Sequence, residues 1–187
     1  MKNQRLKMKS HGFTLVELLV VIAIIAVIVG LAMPNFLSAR ERARDAKKKS
    51  EMSELRGALR LYYNDYQQYP GGTNGTIFLG CGPLGTLQCP GGSAAAGSPT
   101  CSSQEFAAGG ADGCATTYMR SFPKDLGSSS YSFKYYQDGT TGEDYRLKVT
   151  LENLSDAELS TSRSRCPASG AFAALVYASS DYVVCPD

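Results

Sequence analysis

From Phe13 to Met33 the chain is apolar except for Thr14, Glu17 and Gly30, and residues 1–12 before it carry Lys2, Arg5, Lys7 and Lys9 with no acid. As a helix this run is about 31 Å long, the thickness of a bilayer's hydrocarbon core. In lipid, a single span satisfies its own backbone only as a helix, whatever its β-branched content. The basic residues in front predict a cytoplasmic leader and an outward-facing remainder. A secretory signal peptide has a shorter apolar core, about 7–15 residues, before a small-x-small site. The best such site here, Gly30-Leu31-Ala32, is a poor match with Pro34 following, and no cysteine succeeds the block for lipid attachment.

Glu17 distinguishes this run from a plain anchor. A carboxylate near the middle of a bilayer costs about 2.5–3.5 kcal/mol, and less near an interface. Either Glu17 is close enough to the helix start to be wet, or it has a cationic partner. A cut between Gly12 and Phe13 would create an α-amino group one turn away. That pair neutralises within one helix or between neighbouring helices. An intermolecular pair would set axial register, as buried polar residues do in coiled coils.

The run Gly12-Phe13-Thr14-Leu15-Val16-Glu17-Leu18-Leu19, behind a short basic leader, resembles the prepilin peptidase motif of type IV pilins and type II secretion pseudopilins. The motif similarity covers roughly residues 8–70. It implies cleavage after Gly12, N-methylation of Phe13 and a role for Glu17 in subunit register. It also implies an α+β pilin fold: a long N-terminal helix packed on a small antiparallel sheet, with a disulfide-stapled loop between them. The implied partners are further copies of the chain, related minor subunits, the peptidase and methyltransferase, an inner-membrane assembly platform, and the bilayer before assembly. The implied location is the bacterial inner membrane, with a cytoplasmic N-terminus, and then a periplasmic or cell-surface filament.

One helix is predicted from about Phe13 to about Tyr66, apolar all round to Met33 and amphipathic beyond. Phe36, Ala39, Ala43 and Ala46, and then Met52, Leu55, Leu59, Tyr62 and Tyr66, recur at helical spacing and predict a stripe laid on a globular domain. Pro34 removes one backbone hydrogen bond and is the expected kink. The charged stretch between Arg40 and Glu54 is expected to be a solvated face of mixed sign, with Glu51 pairing with Lys47 or Lys48. Pro70, Gly71 and Gly72 are the expected helix stop. The aromatic helix end followed by Tyr69-Pro70 resembles the same junction in major pseudopilins and related pilins.

The segments are therefore a leader (1–12), a membrane or filament-core helix (13–33), an amphipathic continuation (34–70) and a globular part (71–187). Residues 71–130 read as a long loop with one short helix near Ser102–Ala108, and residues 131–187 as the sheet. Tyr131–Tyr136 and Tyr145–Leu151 alternate as a hairpin, with Ala171–Ala178 and Tyr182–Val184 as further strands. The six cysteines, Cys81, Cys89, Cys101, Cys114, Cys166 and Cys185, contain no C-x-x-C pair and read as disulfides. Six cysteines allow 15 connectivities. Nearest neighbours give Cys81–Cys89 and Cys101–Cys114, and Cys166 with Cys185 would close a C-terminal loop.

No catalytic apparatus or cofactor is expected. The single histidine, His11, lies in the leader, so no Ser-His or Cys-His pair survives processing. The glycines of 71–97 lack the Lys-Ser/Thr ending of a phosphate loop. Asp138, Glu143, Asp144, Glu152 and Asp156 do not fit a calcium-loop spacing, and no metal site is expected. A net charge of +2 does not point to nucleic acid. The expected function is a structural filament subunit, of either a pilus or a secretion pseudopilus. The alternatives are a minor or competence subunit that captures DNA or another extracellular ligand, and an anchored domain that never polymerises.

Overall fold

The computed structural model describes residues 13–73, 75, 77–89, 104–123 and 133–186. The chain divides into two units, Met1–Arg40 and Glu41–Asp187. Helix α1 (Leu15–Tyr66) contributes to both. It ends four residues before Pro70. Gln67 takes a left-handed backbone (φ 55), and its side-chain amide donates to the Asn64 carbonyl at 3.1 Å. Such a turn supplies a donor to carbonyls that lose their helical partners.

In the second unit, α1 presents Met52, Leu55, Leu59 and Tyr62, all essentially buried. Their 3-4-3 spacing puts them on one helix face. Against them pack Phe78, Phe106, Phe133, Tyr135, Tyr145, Leu147 and Val149, which belong to one core cluster. Each such side chain contributes about 1.5–3 kcal/mol by leaving water. The rings form a continuous mass: Tyr62 lies 5.5 Å from Phe106, Phe106 5.2 Å from Phe78, and Phe78 4.8 Å from Tyr135. Two phenols find backbone acceptors, Tyr62 donating to the Gly85 carbonyl at 3.2 Å and Tyr135 to that of Pro70 at 2.8 Å. Burial pushes the Tyr62 phenol up to about 12.

The main sheet is antiparallel, with β6 (Phe133–Gln137), β7 (Tyr145–Thr150) and β8 (Asp181–Val184) in that order. The hairpin register sets Phe133 opposite Val149 and Tyr135 opposite Leu147, so the alternating apolar residues share the core face. Between β7 and β8 lies α2 (Glu158–Arg165), a short helix that the sequence reading lacked.

Three expectations need correction. The stretch after α1 is more structured than a loop. It carries β1 (Gly72–Thr73), β2 (Ile77–Cys81) and β3 (Leu87–Gln88) in one sheet, and β4 (Phe106–Ala108) and β5 (Thr116–Met119) in another. The short helix expected near Ser102–Ala108 is, in its described part, strand β4. Gly109, Gly110 and Gly113 all have positive φ in the turn that returns it to β5.

Ala171–Ala178 is not a strand. Gly170–Phe172 is a 3₁₀ turn, and the segment after it has no ladder. Its hold on the sheet comes from side chains of β7: the Arg146 guanidinium lies 4.4 Å from the Phe172 ring centre, and Lys148 Nζ donates to the Val176 carbonyl at 3.4 Å.

The third correction concerns the stripe. Phe36, Ala39, Ala43 and Ala46 are exposed, so the apolar stripe that meets the domain begins only at Met52. Alanine offers little area to bury. Between residues 44 and 49, charged groups make the attachment instead.

Candidate assembly site

The first unit is a helix with an apolar surface open on every side. Leu15, Leu18, Ile22, Ile25, Ile28 and Leu31 are all more than half exposed. Exposed apolar area of this extent has no stable place in water and marks a lipid or protein contact. Among the described residues no single straight helix is long and apolar enough to cross a membrane. By length and composition, only the bent pair Leu15–Leu31 and Phe36–Tyr66 is.

At the head of this helix, Thr14 and Glu17 form a reciprocal cap. Glu17 Oε2 accepts from the Thr14 backbone N–H at 2.9 Å and from its hydroxyl at 2.7 Å, while Glu17 N–H donates to Thr14 Oγ1 at 3.3 Å. Thr14-x-x-Glu17 is thus a capping box, which satisfies donors that a helix start leaves open. The Thr-x-x-Glu spacing is visible in the sequence, where the charge of Glu17 inside an apolar run is the more conspicuous feature. The contact turns the Glu17 carboxylate back toward the chain's N-terminal side, where Phe13 is 82% exposed. Gly12 lies outside the described residues. Pro34 lies within α1.

Within the second unit, the stretch of α1 from Arg44 to Lys49 is held to the segment after β7 by a charged clasp. Asp45, 2% exposed, accepts from the backbone N–H of Glu152 at 2.9 and 3.1 Å and from that of Asn153 at 2.7 Å. Arg44 grips Glu152 with two nitrogens, and Lys48 Nζ reaches the same carboxylate at 3.2 Å. Lys49 bridges Asp156 at 2.6 Å and Glu158 at 2.8 Å. Hydrogen bonding from Arg44, with help from Lys48, holds the Glu152 carboxyl down at about 2, and Lys49 lowers Asp156. Lys47 pairs with Glu51 at 3.7 Å. The charged stretch is therefore only partly a solvated face.

Disulfides join Cys81 to Cys89 and Cys166 to Cys185, with Cα–Cα separations of 5.4 and 5.7 Å. Cys114 is also disulfide-bonded. Cys101 lies outside the described residues. Among those residues no group of three or more His, Cys, Asp or Glu side chains is placed to hold a metal. Asp138 accepts from Thr140 N–H and the Thr141 hydroxyl, Asp144 meets Arg146 at 2.6 Å, and Glu143 is exposed.

A family model described as the prokaryotic N-terminal methylation motif matches residues 7–33. The chain is similar to the type II secretion system core protein G of Klebsiella pneumoniae, 40% identical over 62 residues, which cover 33% of this chain and 44% of that protein. It is 30% identical over 69 residues to the type IV major pilin protein PilA of Myxococcus xanthus, covering 37% of this chain and 31% of the relative. To the type IV wide pilus major component of Thermus thermophilus it is 39% identical over 71 residues, covering 38% of this chain and 54% of the relative. The chain spans about a third to a half of the length of these curated relatives. No solved structure matches it.

Proposed function

We propose that this chain belongs to the family of type IV pilins and type II secretion pseudopilins and is a structural filament subunit rather than an enzyme. The observation that carries the proposal is the methylation motif at the head of a helix whose apolar surface is open on every side. Before assembly that surface sits in the inner membrane, with the basic leader cytoplasmic and the second unit outside. A prepilin peptidase cuts after Gly12 and the new Phe13 amine is methylated. The subunit leaves the bilayer through an assembly platform, and its helix packs with those of other copies and minor subunits. Removing apolar helices from lipid without exposing them to water requires such a packed core. Pro34, which cannot donate a backbone hydrogen bond, is the kink that lets the two halves of α1 adjust.

Glu17 has two separable duties here. Its side chain closes the capping box with Thr14, and its charge neutralises the Phe13 amine, within its own helix or across to a neighbour. The carboxylate's position at the Thr14 N–H, one residue from that amine, favours the pair within one helix. Glutamine at this position retains the box but loses the charge. The Glu17→Gln chain is therefore expected to be processed normally yet to assemble poorly. Normal filament yield from Glu17→Gln would reduce Glu17 to a helix cap and remove the charge from the assembly mechanism.

A further inference from the structure

We infer that Phe36 and Arg40 form an anionic-lipid headgroup clamp at the outward leaflet, used while the subunit waits in the membrane; this rests on the membrane anchoring proposed above. Helical rise puts Phe36 about 4.5 Å beyond Met33, the last residue of the apolar run. The polar layer on each side of a bilayer's hydrocarbon core is about 5–8 Å deep, so the Phe36 ring falls within it. Trp and Tyr are the rings that concentrate at that level; the Phe36 ring, wholly apolar, is brought there by its place on the helix.

The Arg40 backbone lies a further turn out, but its side chain does not point away from the membrane. Its guanidinium carbon is 5.9 Å from the Phe36 ring centre. The cation is folded back one turn toward the apolar run, as side chains on a helix tilt toward its N-terminus. It is delivered to the depth of the phosphates, with its stem over apolar surface. Phe36 and its neighbour Leu37 remain 59% and 53% exposed.

Ion pairing separates Arg40 and the neighbouring exposed Arg42 from the cations further along the helix. Arg44, Lys47, Lys48 and Lys49 are each held by a carboxylate. Among the described residues neither Arg40 nor Arg42 has an acidic partner, and Arg40 is the one of the two that lies over a ring, that of Phe36. A planar guanidinium with its donors uncommitted suits a phosphodiester oxygen pair. A net negative headgroup is preferred, because a zwitterionic lipid carries its own cation beside the phosphate. The occupant is thus an anionic phospholipid such as a phosphatidylglycerol.

The chain contains no tryptophan, so Phe36→Trp supplies a single indole at the clamp while keeping an aromatic face for Arg40. The full chain carrying this change is reconstituted in phosphatidylcholine vesicles containing either dibrominated phosphatidylglycerol or dibrominated phosphatidylcholine at equal mole fraction. Bromine quenching of the indole then reports which lipid occupies its neighbourhood. One basic residue at an anionic surface predicts about a fivefold preference for phosphatidylglycerol. Arg40→Gln in the same background should bring the preference to about one, and added salt should weaken it. Lys47→Gln, a charge loss two turns further out, should leave it unchanged. Carbonate-resistant insertion with equal quenching by both lipids would overturn the clamp and leave the anchor standing. Failure to insert at all would overturn both.

Discussion

Asp45→Ala tests how the second unit holds its own stretch of α1. Asp45 is nearly inaccessible and accepts two successive backbone N–H groups, those of Glu152 and Asn153, between 2.7 and 3.1 Å. Each hydrogen bond to a charged acceptor contributes about 1.5–3 kcal/mol. Both donors sit in a partly exposed stretch, so water recovers some of the loss, and the lower end applies. The substitution should therefore cost about 3 kcal/mol. In a unit of this size that lowers the melting temperature by about 6–12 °C. Asp45→Asn keeps one acceptor oxygen and should cost about half as much. Denaturant titration of the full chain in detergent, followed by tyrosine near-ultraviolet circular dichroism, reports both values. A loss below about 1 kcal/mol for the alanine variant, or equal losses for alanine and asparagine, would refute this role for the buried carboxylate.

Acid should loosen the same clasp. Glu152 is held at about 2, below its ordinary 4.5, so its contribution is full above about 4.5 and disappears as pH falls from there toward 2. The denaturation midpoint should drop over that window, and Glu152→Gln should flatten the drop. Gly113→Ala should destabilise by more than about 1 kcal/mol, measured the same way, because φ is +76 and a Cβ would lie 2.7 Å from the Gly82 backbone. Replacing both Cys166 and Cys185 by serine should cost about 3 kcal/mol in the chain-entropy model for a 19-residue separation. An unchanged thermal midpoint would show that the C-terminal loop is held by other contacts.

The helical half of the fold was legible because its signals are periodic and long. The apolar run follows from its unbroken length, and the Met52-Leu55-Leu59-Tyr62 face and the alternation in β6 and β7 each follow from one repeat. The rest escaped for identifiable reasons. Phe106–Ala108 is too short to carry a period, and its identity as a strand depends on pairing with Thr116–Met119 across three glycines. Ala171–Ala178 has a strand's composition, but it is held by Arg146 over its Phe172 ring and by Lys148 on its Val176 carbonyl rather than by a neighbouring ladder. Asp45 gave no sequence signal, since an aspartate inside a charged stretch is usually solvated. At the helix head, Thr14 and Glu17 stand at the spacing of a capping box, and both the cap and the charge are present in the same four residues.

Intact-mass and N-terminal peptide spectrometry of the chain, purified from cells with a working processing enzyme, bears most directly on the filament-subunit proposal. The expected species begins at Phe13 with one added methyl group on its amine. A chain that still carries Met1–Gly12, or one that begins after Ala32, would contradict it.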